Sequence, residues 1–367
     1  MKSQRKSRVR TRLDGRSRTL SRANDSCFSK ARQVNLTKIM CATFILLACF
    51  SMAHAQTLVW NLSDAPYDIG YNPSVAMSGL TAVEVHNGQA GFGPMWYHVG
   101  AYNGDTGALT WGPPYNYDNG YNPSVATSGS IVVEVHNGQA GYGPMWYHVG
   151  YVVPLQPNII WGPAYSYDNG YNPSIGMVGS TVVEVHNGQA GYGPMWYHVG
   201  QVNGFTINWG HSIPYDSGWN PSVALTSCST ASNPNCLLAV EVHNYEQTPG
   251  AALLYHVGQV SGSTINLGGA STYDVGWNPK VAIVSSCGEG STILEVHNGS
   301  GAPGEMWSQV GFWSSGSTIE WETAYGYASG WNPSIAAAGT SAIVEVHNQD
   351  STFGPMWSLT TFFPCFQ

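Results

Sequence analysis

An all-β ring, a six-bladed β-propeller with four antiparallel strands per blade, is predicted by three features of this 367-residue chain. The phrase Glu-Val-His-Asn occurs six times, at 84–87, 134–137, 184–187, 241–244, 295–298 and 345–348. The positions just before each Gly-(Tyr/Trp)-Asn-Pro, namely Asp68, Asp118, Asp168, Asp216, Asp274 and Ala328, are 50, 50, 48, 58 and 54 residues apart, a period that marks a solenoid, propeller or array. Inside each period, β-branched and aromatic residues alternate with period two, Gly, Pro and Asn punctuate the intervals, and no helical periodicity appears.

Residues 1–55 are of a different kind. They hold twelve of the thirteen Lys and Arg, then an apolar run from Ile39 to Phe50, then Ala53-His-Ala55. A basic region, a short apolar core and a small-x-small site predict a secretory signal peptide cleaved before Gln56; a retained anchor, or a lipoprotein-type site at Leu46-Leu-Ala-Cys49, is the alternative. Residues 56–367 are read as one propeller of six repeats of about 50 residues. In the first unit the strands are expected at 74–78, 81–87, 95–102 and 108–112. The fourth-strand phrase, as in Leu109-Thr-Trp111 and Ile159-Ile-Trp161, occurs five times for six first strands. Its sixth copy is Thr57-Leu-Val-Trp-Asn61, so an N-terminal strand is expected to complete the last blade, close the ring and remove the open sheet edges.

Loss of the leader would leave Lys280 as the sole Lys or Arg against nineteen Asp and Glu, a formal charge of −18. No basic patch remains to neutralise phosphates, which excludes nucleic acid as a partner, and an anionic membrane surface would repel the chain. The absence of arginine also argues against bidentate clamping of carboxylate or phosphate. Four cysteines remain, an even count that suggests disulfides in an exported protein. Cys228 and Cys236 bracket an insertion in the fourth unit and are expected to pair. Cys287 and Cys365 are expected on one rim of neighbouring blades, where a bridge would pin the C-terminus.

Two motifs carry candidate chemistry. In Glu-Val-His, Glu84 and His86 share one strand face, and the expected register sets them opposite His98 and Trp96. A metal site or an acid/base pair is one reading; a buried inter-blade polar network is preferred, because His98, His148, His198 and His256 give way to Gln309 and Leu359 in the last two units. No metal or cofactor is therefore expected. The second motif is the turn phrase Tyr-Asp-x-Gly-(Tyr/Trp)-Asn-Pro together with the loop Asn-Gly-Gln-Ala-Gly-(Phe/Tyr)-Gly-Pro, expected on one rim. Its acid, amide and aromatic groups suit neutral sugars, whose apolar face packs on a ring while amides and carboxylates take the hydroxyls. The candidate ligand-binding residues are Asp68, Tyr71, Asn72, Gln89, Phe92 and Trp96 in the first unit. In the second they are Asp118, Tyr121, Asn122, Gln139, Tyr142 and Trp146, and in the third Asp168, Tyr171, Asn172, Gln189, Tyr192 and Trp196; Asn137 and its equivalents join them. Plain turn chemistry is the competing reading.

The sequence Gly-x-Asn-Pro-(Ser)-Val-Ala, then Val-Val-Glu-Val-His, then Trp-Tyr-His-Val-Gly resembles the repeat of bacterial β-propeller lectins that bind fucose and related sugars, and more loosely the tectonin-type propellers. The resemblance spans all six units. It implies a propeller with repeated sugar sites, although the six-bladed fucose binders use a pocket arginine that residues 56–367 lack. The expected function is a secreted, multivalent, non-catalytic lectin for neutral or fucosylated glycans on cell surfaces or polysaccharides, without membrane insertion. Near-identical units, with 132–150 and 182–200 matching at every position, favour avidity through equivalent sites. A non-catalytic structural or protein-interaction propeller is the alternative. A propeller glycosidase ranks third, since no unique carboxylate pair stands out from the repeat.

Overall fold

The computed structural model describes residues 58–362 except 64, 230–234, 285–289, 301–303 and 340. The expected leader, Cys287 and Cys365 lie outside the described residues. Within them are twenty-five strands in antiparallel pairing and no helix. No described helix is long and apolar enough to cross a membrane.

The first unit shows how the sequence makes its local structure. Strands Asp68–Ser78, Thr81–Asn87, Gly93–Tyr102 and Leu109–Trp111 follow one another. Ser78 pairs with Thr81 across a tight turn in which Gly79 takes φ 58°, a left-handed conformation that glycine adopts without steric cost. The next hairpin sets Glu84 opposite His98 and His86 opposite Trp96, the register expected from the alternation. Val83 and Val85 point the other way, into a cluster with Tyr97 and Val99 that is completed by Val125, Val132 and Ile159 from the following unit. The core thus lies between successive sheets, and both faces of each sheet are covered. This explains why the Thr81–Asn87 strand is buried at six of its seven positions rather than alternately.

The turn phrase requires a correction. Asp68-Ile-Gly-Tyr-Asn-Pro-Ser74 is the crossing point inside one long strand rather than a turn before a short one. Asp68, Ile69 and Gly70 pair with Met356, Pro355 and Gly354 of one sheet, whereas Ser74 to Ser78 pair with Val85 to Thr81 of the next. The register breaks between Tyr71 and Ser74, where Asn72 has φ 50°. Asparagine tolerates that conformation better than other side chains, and Pro73 has no N–H to leave unpaired at the break. Gly70 is required by close approach: a Cβ there would stand 2.5 Å from His86 Cδ2 and 2.7 Å from Met356 Cε. The expected fourth strand is correspondingly short, because its edge is shared. Gly100 and Tyr102 pair with Trp111 and Leu109, while Gly93 to Tyr97 take the start of the next long strand.

Near the N-terminus, Asn61–Leu62 pairs with Thr360 and Leu359, and Leu58 is buried among Val284, Leu294, Val310 and Ile335. The strand is shorter than the expected 57–61. Cys228 and Cys236 are joined by a disulfide across the fourth-unit insertion, with Cα atoms 4.9 Å apart.

Candidate functional site

The Asn of each Glu-Val-His-Asn is structural. Asn137 is fully buried, donates from Nδ2 to the Gly170 carbonyl at 3.0 Å and accepts from the Asn172 N–H at 3.1 Å. The same pair of bonds recurs at Asn87 and Asn348. Asn137 and its equivalents therefore leave the list of candidate sugar contacts. So do Asn72, Asn122 and Asn172, whose side chains bond to one another in a chain that continues to Asn220, Asn278 and Asn332. Together with Pro73, Ser74 and Lys280 they line a narrow cavity of about 100 Å³. Tyr71, Tyr121 and Tyr171 are half-buried beside these asparagines; Tyr121 stacks on Tyr171, which stacks on Trp219.

The loop residues behave differently. Phe92, Tyr142 and Tyr192 are exposed, and Gln89, Gln139 and Gln189 donate to the carbonyls of those three residues, so the amides hold the loop instead of facing outward. Trp96, Trp146 and Trp196 are half-buried, with the indole laid over Gly88, Gly138 and Gly188. Their exposure leaves part of each ring open to the same loop.

Asp68, Asp118 and Asp168 belong to a polar cluster that joins neighbouring sheets. Asp68 Oδ2 meets His98 Nε2 at 2.7 Å and lies 3.8 Å from His86 Nε2, and His86 Nδ1 is 3.1 Å from Glu84 Oε2. The pattern recurs at Asp118 and Asp168 and again at Asp216 with His243 and His256. Burial favours the neutral acid, but the bond from His198, the Asn169 N–H and the charges of His186 and His198 together outweigh it and hold the Asp168 carboxyl down at about 2. His198 is moved the other way: burial disfavours its charge, but the Asp168 bond, the Glu184 charge and the Gly210 carbonyl together outweigh this and raise it. Beneath the cluster, burial and the adjacent Glu84 push the Tyr67 hydroxyl well above the usual range.

The fifth unit breaks this pattern at two positions that line one cavity. His98 and its three equivalents become Gln309, opposite Glu295, and the position of Pro94, Pro144 and Pro194 becomes Glu305. Gln309 donates to the Glu322 carbonyl and does not reach back to Asp274 as a histidine would. Asp274 is left 4.0 Å from His297 Nε2. The result is a cavity of about 470 Å³ lined by Asp274, His297, Ser300, Glu305, Trp307 and Gln309, among others. Glu295, buried behind His297 with its Oε2 2.9 Å from Nδ1, is pushed up by burial. Burial works against the His297 cation, but Glu295 and Asp274 outweigh it and raise His297. Two carboxylates, an imidazole and an indole thus share one opening. Both substitutions are visible in the sequence as departures from the repeat, but only the geometry brings them to one cavity.

No protein-family model and no curated sequence matches the chain. The fold is similar to a Trypanosoma rangeli sialidase in complex with 2,3-difluorosialic acid, with TM-score 0.50, 10% identity, 82% of this chain covered and 59% of that one. The chain thus spans about three fifths of the sialidase. It is also similar to an α-L-arabinanase of Penicillium chrysogenum complexed with arabinobiose, with TM-score 0.51, 11% identity and coverage of 84% and 98%. A neuraminidase-like protein from A/bat/Guatemala/164/2009 gives TM-score 0.52, 8% identity and coverage of 85% and 96%. At these identities the likeness shows the fold, all-β and propeller-like. The expectation of a non-catalytic lectin is corrected by it: these neighbours include a sialidase and an arabinanase, which are enzymes, and none of the three is a fucose-binding lectin.

Proposed function

We propose that residues 56–367 form an exported six-bladed propeller that hydrolyses glycosidic bonds of a neutral polysaccharide in the fifth-unit cavity. One observation carries the reading. In the unit where the Asp–His bond of the first four is lost, a second carboxylate, Glu305, appears on the same cavity beside Trp307. Glycoside hydrolysis needs such a pair, one carboxyl to protonate the leaving oxygen and the other to activate water or attack the anomeric carbon. Trp307 offers an apolar face for a pyranose. Glu305, on the open side, is assigned proton donation, and Asp274, beside His297, the second role. The formal charge of −18 in residues 56–367 favours neutral over anionic substrates.

The six-bladed ring is supported by six units with the same register and by pairing of Asn61 with Thr360 at the chain ends. Export is supported by the basic and apolar leader and by the Cys228–Cys236 disulfide. The test is release of reducing ends from a panel of neutral polysaccharides. Wild-type turnover should fall by about 10²–10⁴-fold in Asp274→Asn and in Glu305→Gln, with unchanged melting. Absence of turnover in the wild type across the panel, or full activity in both variants, would refute the assignment.

A further inference from the structure

The cluster shared by units one to four is arranged as a metal site, and we propose that each of these units binds one zinc-type divalent ion through two imidazole Nε2 atoms and one aspartate oxygen. In the first unit the ligands are His86, His98 and Asp68. The equivalents are His136, His148 and Asp118, then His186, His198 and Asp168, then His243, His256 and Asp216. This site is separate from the fifth-unit cavity and does not depend on the reaction assigned there.

Tautomer geometry is the main support. A carbonyl oxygen can only accept, so His98 Nδ1, 2.8 Å from the Gly112 oxygen, must donate. A neutral His98 then turns the Nε2 lone pair toward Asp68 Oδ2 at 2.7 Å, acceptor against acceptor. Either a second proton or a cation must lie between them. His86 is oriented in the same sense, with Nδ1 on the Glu84 carboxylate at 3.1 Å and Nε2 toward Asp68. Metal-binding histidines usually have this arrangement: the far ring nitrogen donates to a carboxylate or backbone carbonyl, which fixes the tautomer and aims the other nitrogen. The second, third and fourth units repeat it. There the Gly162, Gly210 and Gly268 carbonyls take Nδ1 of one histidine, and Glu134, Glu184 and Glu241 that of the other.

A separate observation points to the same place. His243 Nε2 is fully buried and has no hydrogen-bond partner, yet it lies 3.9 Å from Asp216 Oδ2. A ligand bridging His243, His256 and Asp216 would satisfy it. In the first and third units the three donor atoms lie within 4.8 Å of one another, with the aspartate oxygen 2.7 Å from one Nε2 and 3.8–3.9 Å from the other, so side-chain shifts would bring them to bonds of about 2.0–2.2 Å on one tetrahedral ion. Two imidazoles and a carboxylate match zinc, with a fourth position left for water. The aspartates are 24–30% exposed, which provides the entry path, whereas the histidines are almost wholly covered. Because each aspartate lies on the sheet preceding its histidines, the ion would join neighbouring sheets.

Cobalt(II) is the probe, since it fits zinc sites and reports geometry in the visible spectrum. Titration of chelator-treated protein should saturate near four equivalents with the intense bands of tetrahedral cobalt, and zinc should displace them. His98→Gln copies the residue that the fifth unit carries naturally, so it should fold and lose one equivalent. Glu84→Gln should weaken the first site about 10- to 100-fold while keeping the stoichiometry. Failure to bind cobalt or zinc, an octahedral spectrum, or unchanged stoichiometry in folded His98→Gln overturns the proposal.

Discussion

Asn137→Ala tests the packing between units most sharply, because this one side chain satisfies two backbone groups of the adjoining unit. Its Nδ2 donates to the Gly170 carbonyl at 3.0 Å and its Oδ1 accepts from the Asn172 N–H at 3.1 Å, in a place without solvent access. Alanine leaves one buried acceptor and one buried donor unpaired, each costing about 1–3 kcal/mol, so the sum is on the order of 4 kcal/mol. For a domain of this size that corresponds to a fall in melting temperature of roughly 6 °C. The assay is thermal unfolding followed by near- and far-ultraviolet circular dichroism together, since repeat units can unfold out of step. Asn119→Ala, at an exposed position three residues before Asn122, is the control and should stay within about 0.5 kcal/mol. If Asn137→Ala melts with the wild type, or if the control loses as much, the two bonds do not hold the units as argued.

Lys280 replaces the serine that in five units accepts a backbone N–H from the next strand, as Ser74 does from Val125, and it lines the narrow asparagine cavity. Burial lowers its amine to about 8, so the folded chain holds this proton less tightly than the unfolded chain. The penalty is therefore full below pH 8 and disappears as pH rises toward 10.5; at about 1.4 kcal/mol per unit it reaches at most about 3 kcal/mol. Lys280→Met should raise the melting temperature at pH 7 and lose this advantage by pH 10.5, and a gain independent of pH would contradict the cause given. Deleting residues 58–63 removes the pairing of Asn61 with Thr360 and uncovers a strand edge, so the product should aggregate; a soluble deletion variant with an unchanged melt would refute closure by this strand. Replacing Cys228 and Cys236 by serine opens a short loop and should cost about 2–3 kcal/mol, read by urea unfolding, with no effect on hydrolysis.

The hydrophobic alternation makes the hairpin register legible from the residues alone, down to Glu84 opposite His98, because a one-residue slip would turn the valines out of the core. The long crossing strand is not legible in the same way. Gly, Asn and Pro in sequence signal a turn, and here the left-handed asparagine and the missing proline N–H serve a break between two sheets instead. The bonds between asparagines 48 to 58 residues apart leave no local trace either. Gln309 is legible as a departure from the repeat, where it reads as the failure of a ligand set. Its actual consequence, a cavity shared by Asp274 and Glu305, depends on the pairing of Asn298 with Met306, which places residue 305 at the mouth.

The activity proposed for the fifth unit originates in its departure from the repeat, so restoring the repeat should abolish it. Glu305→Pro combined with Gln309→His rebuilds there the residues of the second unit, Pro144 and His148, and returns a histidine to Asp274. Reducing-end release from the polysaccharide that the wild type cleaves best is the deciding measurement. Loss of hydrolysis with an equal or higher melting temperature is expected; hydrolysis at the wild-type rate in the rebuilt variant would contradict this origin.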